Sequence, residues 1–103
     1  MKVLGIDPGT AACGFGIVHA NGGRLRAVEY GWWETSPRDA PASRLKQIHD
    51  EVADLIARHE PEAVALEESY VGADARIALS VGQARGAALV ACEIGRASCR
   101  ERV

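Results

Sequence analysis

An aspartate at the end of a short apolar run is the feature that most constrains this chain. Residues 3–6 read Val-Leu-Gly-Ile, Asp7 follows, residues 8–10 read Pro-Gly-Thr, and a second apolar run occupies residues 14–18. This order predicts two strands joined by a tight turn, with a carboxylate at the end of a buried strand. Because charged groups are rarely buried without a partner, we expect Asp7 to meet a cation there.

The first third of the chain predicts an antiparallel meander. Residues 15–20 form the second predicted strand, and residues 24–34 alternate well enough for a third. Asn21-Gly22-Gly23 lies between them, and these residue types tolerate the positive φ that tight hairpins need. We interpret Trp32 and Trp33 as packing residues.

A helix and a fourth strand are predicted next. The helix follows a loop over residues 35–43, where Asp39 or Ser43 could provide its cap. Apolar residues recur at helical spacing and so predict one buried face: Leu45, Ile48, Val52, Leu55 and Ile56. Glu60-Pro61 ends this helix. The apolar run at 63–66 predicts a central strand, and a helix between it and the meander favours a parallel crossover.

A second helix is predicted from about residue 77 onward. Its apolar positions are Ile77, Leu79, Val81, Ala84, Ala88, Leu89 and Val90. We interpret Gly82 and Gly86 as places where this helix approaches the sheet closely. The pattern indicates one α/β unit with a mixed sheet.

Composition limits the setting of the protein. The 103 residues carry a net charge of −2, so no broad basic field marks a nucleic-acid partner, although a local basic stripe could still bind one. The three cysteines form no metal-binding pair and favour a reducing, cytosolic compartment. No signal peptide is recognisable, and no stretch reaches the roughly 18 apolar residues of a membrane span, so no membrane partner is expected.

A second acid, Glu67, ends the fourth predicted strand. If the first and fourth strands are parallel neighbours, Asp7 and Glu67 leave the same edge of the sheet about 4.8 Å apart. Carboxylates that close repel each other, and Mg²⁺, which prefers oxygen ligands, relieves the repulsion. Strand-end acids also arise as ordinary solvated ends, so spacing alone leaves both readings open.

Residues 93–103 differ from the rest of the chain. They carry three arginines without apolar periodicity, and the string resembles the translation of a sequencing-library adapter. We therefore expect a partial nuclease domain over residues 1–92 and a non-native tail over residues 93–103. A genuine basic tail is the alternative.

The motifs resemble those of RuvC-type Holliday-junction resolvases. The similarity lies in residues 4–10 and 13–18, in Arg44 to Ile48, in residues 65–68, and above all in residues 78–86, which read Ala-Leu-Ser-Val-Gly-Gln-Ala-Arg-Gly. It spans about residues 1–92. The resemblance implies a ribonuclease-H-like fold, incomplete here at its C-terminus, and a cytoplasmic bacterial homodimer that cuts four-way DNA junctions in recombination and repair, beside the RuvA–RuvB branch-migration complex.

By motif position the resemblance assigns roles to individual residues. Asp7 and Glu67 correspond to catalytic, metal-binding acids that hold two Mg²⁺ ions in the complete protein, with Glu68 a neighbour that points away. Tyr70 corresponds to an aromatic that stacks on junction bases, and Arg76 could contact phosphates; an exposed loop tyrosine is the plain alternative for Tyr70. The family's further acids have no counterpart here, so this chain by itself is expected to be inactive.

Two other nucleotide-related classes fit part of the pattern. Actin-like or sugar-kinase ATPases also begin with a strand, an Asp and a Gly-Thr hairpin. A ribonuclease-H-like nuclease that processes ribosomal RNA shares the strand-end Asp. The ATPases lack a strand that ends in an acid like Glu67 followed by the string at residues 82–86, and the later motifs of the RNA-processing nuclease look less like those of this chain.

Overall fold

An antiparallel meander of three strands begins the fold, seen in a computed structural model that describes residues 1–67, 75–95 and 98–102. Its strands are β1 (Lys2–Asp7), β2 (Ala12–Asn21) and β3 (Arg24–Glu34). Gly22 and Gly23 turn the second hairpin with φ of 58° and 81°, values that glycine adopts without steric cost. The predicted meander is confirmed.

A crossover helix returns the chain to the other side of β1. Helix α1 (Pro41–His59) leads to β4 (Ala63–Glu67), which pairs with β1 in parallel. The sheet order is β3-β2-β1-β4-β5, so β1 lies at its centre. This mixed sheet confirms the predicted fold class.

The ends of α1 are set by backbone chemistry. Pro41 occupies the first turn, where a missing N–H is not needed, and the N-cap residue Ala40 makes no side-chain hydrogen bond. The expected cap from Asp39 or Ser43 is therefore wrong. At the other end Glu60 adopts a left-handed conformation with φ of 47°, and its N–H donates to the Ile56 carbonyl at 2.9 Å.

Both helices cover the same face of the sheet. Leu4 and Ile6 of β1 point to this face and are almost fully buried, as alternation along a strand requires. The helical and remaining strand residues of the same core are Cys13, Ile17, Ile48, Val52, Leu55, Ile56, Val64, Leu66, Ala84, Ala88, Ala91 and Cys92. The predicted apolar stripe of α1 is thus confirmed.

Helix α2 (Ala75–Ile94) is apolar on more than its buried side. Ile77, Leu79 and Val90 are exposed, whereas small residues pack inward. An 18-residue window of α2 is long and apolar enough to cross a membrane by length and composition alone, although charged residues interrupt its apolar run. Its inward face is nevertheless part of the core described above.

Two glycines of α2 do not serve the role expected of them. A side chain added at Gly82 or Gly86 would meet no described atom within 4 Å. The fully buried small residues of α2 are instead Ala84 and Ala88, which belong to the core.

The tail contributes to the sheet. Helix α2 continues to Ile94, and Ser98–Arg102 form β5, which pairs in parallel with β4. The expectation that the sheet lacks a further strand is therefore wrong. The physical reason is that β4 would otherwise present unpaired backbone groups at an edge, and backbone pairing depends little on side-chain type.

The two neighbouring tryptophans differ in environment. Trp33 stacks on Phe15 with ring centroids 4.7 Å apart, which confirms it as a packing residue. Trp32 is 67% exposed, and its indole N–H donates to Glu34 at 3.2 Å, so the packing interpretation is wrong for Trp32. Adjacent strand residues face opposite sides of the sheet, which explains the difference.

Candidate active site

Asp7 is the last residue of β1 and is exposed. The expectation of a buried carboxylate is wrong, because alternation places Asp7 on the face that the helices leave open, opposite to Ile6. Of the strand residues before Asp7, Leu4 and Ile6 are buried and the others are only partly so. Solvent access means that Asp7 is available to bind a cation or substrate from outside.

Glycines keep the space around Asp7 open. Gly14 pairs with Asp7 across β1 and β2, and Gly5 pairs with Gly16. A side chain at Gly14 would touch the Asp7 Cβ at 3.7 Å, and one at Gly16 would meet nothing within 4 Å. These residues line an open cavity of about 520 Å³ together with Asp7 and Ala65. Backbone or ligand atoms can therefore approach the carboxylate closely.

Glu67 ends β4 beside Asp7. The parallel register pairs Gly5 with Ala65 and Ile6 with Leu66, so Asp7 and Glu67 are the next residues on neighbouring strands. The backbone therefore brings the two predicted acids to one edge of the sheet. The Glu67 side chain lies outside the described part of the structure.

The turn after Asp7 is tightly built. A Cβ at Gly9 would lie 2.5 Å from the Ala12 carbonyl oxygen, so this position requires glycine. Cys13 lies just beyond the turn with its thiol fully buried. The pKa of Cys13 is raised to about 11, chiefly by burial; a hydrogen bond with the Gly9 backbone opposes this rise, and the nearby Asp7 carboxylate adds to it.

A hydroxyl network fastens this turn to both helices. The Thr10 hydroxyl donates to the Ser80 carbonyl at 2.8 Å and accepts from the Ser80 hydroxyl at 2.8 Å. Thr35 donates to the Thr10 carbonyl at 2.5 Å and accepts from Arg44 Nε at 2.8 Å. No local sequence pattern indicates this network, although Thr10, Arg44 and Ser80 all fall within the strings that carry the resemblance.

Of the two predicted DNA-contacting residues, the structure describes one. Arg76 is exposed in the first turn of α2 and lines a cleft with Gly9, Thr10 and Ser80. Tyr70 lies outside the described residues, as does Glu68. Arg76 therefore flanks the same turn that follows Asp7.

The donor set suits a hard cation only in part. Carboxylate oxygens are the ligands that Mg²⁺ prefers, and the adjacent strand ends supply the positions for two of them. Among the side chains that the structure describes, which do not include that of Glu67, no group of three His, Cys, Asp or Glu is placed to hold a metal ion. The residues present fit part of a magnesium site, and further oxygen ligands would be needed to complete it.

Comparison with known proteins identifies the family. The family model described as crossover junction endodeoxyribonuclease RuvC matches residues 3–101. The chain belongs to the RuvC family. RuvC of Pelotomaculum thermopropionicum is 45% identical over 91 residues, which cover 88% of this chain and 56% of the relative. RuvC of Heliobacterium modesticaldum is likewise 45% identical over 91 residues, with the same shares covered.

A solved RuvC structure has the same fold. Thermus thermophilus RuvC in complex with Holliday junction substrate superposes with a TM-score of 0.93 at 34% identity, covering 99% of this chain and 65% of that chain. The chain thus spans about 56% of the length of the curated RuvC relatives it matches. Membership in the RuvC family confirms the resemblance seen in the sequence.

Proposed function

We propose that this chain is part of a structure-selective endodeoxyribonuclease that resolves Holliday junctions in DNA recombination and repair. The observation that carries the proposal is the parallel register of β1 and β4, which places the positions of Asp7 and Glu67 side by side. The RuvC family match supports the same substrate, as does the junction-bound state of the similar Thermus protein. The ATPase and ribosomal-RNA alternatives receive no comparable support.

In this proposal Asp7 and Glu67 hold divalent magnesium, two ions per site in the complete protein. When bound there, magnesium would supply an activated water and neutralise charge on the leaving oxygen in phosphodiester hydrolysis. Asp7 provides ligand oxygens at an exposed strand end, and the glycines beside it leave room for a DNA backbone. With only two of the required ligands, this chain alone would hold magnesium weakly and would not cleave.

The remaining assignments concern DNA and partner proteins. Arg76 would contact a phosphate from the rim of the cleft beside the Asp7 turn. Tyr70 would stack on an unpaired base, a contact worth about 1–3 kcal/mol. The working enzyme would be a cytoplasmic homodimer that acts beside RuvA–RuvB.

The proposal is tested in the full-length parent protein. Asp7→Asn should abolish cleavage of a mobile four-way junction while leaving its binding in a gel shift within about twofold, because the amide keeps the shape but loses the charge that holds metal. Asp39→Asn, an equivalent change at an exposed residue outside the site, is the matched control and should cleave normally. Normal cleavage by Asp7→Asn would refute the proposal.

We further propose that residues 1–92 are the native nuclease portion and that residues 93–103 are not native. The two relatives described above align over 91 residues, about the length of this native portion, whereas the family model matches as far as residue 101. Sequencing the source gene beyond codon 92 tests it. A native reading frame that encodes further acids would support the proposal, and a gene that encodes residues 93–103 as they stand would refute it.

A further inference from the structure

We propose that Thr10 and Ser80 are positioning residues for DNA cleavage, which set the distance between the Asp7 turn and the DNA-facing end of α2. This inference rests on the proposed function. It assigns a purpose to a hydroxyl pair that joins residues 70 positions apart.

Two hydrogen bonds join Thr10 to Ser80, and the Thr10 hydroxyl is the donor in one and the acceptor in the other. Thr10 Oγ1 donates to the Ser80 carbonyl oxygen, and Ser80 Oγ donates to Thr10 Oγ1, each at 2.8 Å. A hydroxyl has one donor and can accept as well, so this exchange fixes both partners in orientation. The turn and the helix are therefore held at one separation.

The same turn is also linked to α1 through Thr35 and Arg44. Thr35, the buried polar residue at 7% exposure, donates to the Thr10 carbonyl at 2.5 Å. Arg44 of α1 donates to the Thr35 hydroxyl at 2.8 Å, and a charged donor strengthens the bonds that follow it in a chain. Thr10 is thus tied to α1 on one side and to α2 on the other.

Ser80 shares a helix face with Arg76. The two residues are four apart, which makes them neighbours on the surface of α2. Both line the cleft whose opposite wall is the turn from Gly9 to Ala12. The Thr10–Ser80 pair therefore sets how far Arg76 lies from the turn that follows Asp7.

The distance between the Asp7 turn and α2 matters because, in the proposed function, one side of the cleft adjoins the metal-binding acid and the other binds DNA. Asp7 belongs to the metal-binding edge, and Arg76 belongs to the surface that would receive DNA. A misplacement of about 1 Å between such groups can reduce a reaction rate about a hundredfold. A positioning role therefore predicts a loss in kcat with little change in KM, which a merely structural contact would not produce.

The test compares Thr10→Val with Thr10→Ser in the full-length parent. Valine removes both hydrogen bonds at constant shape, whereas serine keeps the hydroxyl. We expect Thr10→Val to lower kcat about tenfold with junction KM within twofold, and Thr10→Ser to restore kcat to near the wild-type value. Ser80→Ala, which leaves the bond to the Ser80 carbonyl, should have a smaller effect, and adding it to Thr10→Val should cost nothing more.

A second readout needs no catalysis. In the 103-residue chain, amide hydrogen exchange over residues 76–82 should be faster in Thr10→Val than in Thr10→Ser or the wild type. Unchanged exchange, or wild-type kcat in Thr10→Val beside an inactive Asp7→Asn, would overturn the positioning role and leave the nuclease proposal intact. Normal cleavage by Asp7→Asn would instead refute the nuclease proposal. Should Thr10→Val fail to fold, kcat and amide hydrogen exchange over residues 76–82 are measured in Ser80→Ala instead. A lowered kcat with faster exchange would support the positioning role, and wild-type values would overturn it.

Discussion

Ile6 and Leu66 pair in the parallel register of β1 and β4, and each is followed directly by an acid. The side chains of these two paired residues are buried beneath the helices, so the register cannot slip by one residue without exposing the core. The apolar core therefore determines where Asp7 and the backbone of Glu67 lie. Stability of the fold and placement of the acids depend on the same pairing.

Burial should decide which leucines of the helices matter for stability. Leu55 of α1 is 1% exposed and Leu79 of α2 is 64% exposed. Leu55→Ala should lower the free energy of unfolding by about 2–5 kcal/mol, because it leaves a cavity in the core. Leu79→Ala is the matched control and should change it by less than about 0.5 kcal/mol. Urea unfolding followed by circular dichroism measures both, and equal effects would contradict the core assigned here.

The two tryptophans should report different environments in fluorescence. Trp32 is exposed, whereas Trp33 is half-buried against Phe15. Trp32→Phe should remove the component that acrylamide quenches readily, and Trp33→Phe should leave mainly that component. Each variant is the control for the other. A reversed assignment would mean that β3 pairs with β2 in a different register.

The Cys13 thiol should resist alkylation. Its pKa, raised to about 11 mainly by burial, leaves about one thiol in a thousand ionised at pH 8, against about one in ten for an unshifted group. Iodoacetamide labelling in a Cys99→Ser background, read by peptide mass, should therefore be slow at Cys13 until the protein is unfolded. Asp7→Asn removes one cause of the elevation, so labelling of Cys13 should become faster in that variant. Fast labelling of the native wild-type chain would be inconsistent with a buried Cys13.

The Glu29 ion pairs should make a small part of the stability depend on pH. Hydrogen bonds from Arg58 and His59 lower the pKa of Glu29 below its ordinary value of 4.5. A lowered folded-state pKa stabilises the fold above the unfolded-state value, and the effect disappears as pH falls through the folded-state value. Glu29→Gln should therefore lower the urea midpoint at pH 7 and approach the wild type at an acid pH below the lowered folded-state pKa of Glu29. Because the pairs are partly exposed, the shift should be small.

Glu62→Gln serves as the control for that comparison. Glu62 is exposed and takes part in none of the ion pairs found in the described part of the chain. Its replacement should leave the midpoint unchanged at both pH values. A Glu29→Gln defect that persisted undiminished at low pH would show that the carboxylate charge is not what stabilises the hairpin against α1.

Local chemistry explains why much of the fold was predictable. The Gly22-Gly23 turn, the stripe on α1 and the short apolar run of β4 each carry their signal within a few residues. The order of the elements then limits the topology, because a helix between strands favours a parallel return. Asp7 and Glu67 follow from that topology as neighbours at one edge.

The remaining features depend on contacts between distant residues. Helix α2 is apolar around most of its surface, so periodicity did not show that Ala84 would face inward and Leu79 outward. The Thr10–Ser80 contact joins two ordinary hydroxyl residues that nothing local connects. The pairing of β5 with β4 depends on the free edge of β4, and no side-chain pattern in residues 98–102 predicts it.

Metal binding by the two adjacent acids is the central claim, and manganese titration followed by electron paramagnetic resonance measures it most directly. In the full-length parent, Asp7→Asn and Glu67→Gln should each weaken Mn²⁺ binding at least about tenfold, and the double variant should be little worse than either single one, since both acids serve the same site. Asp39→Asn should bind as the wild type does. Unchanged Mn²⁺ affinity in both single variants, or independent and additive losses, would contradict a shared site at the ends of β1 and β4.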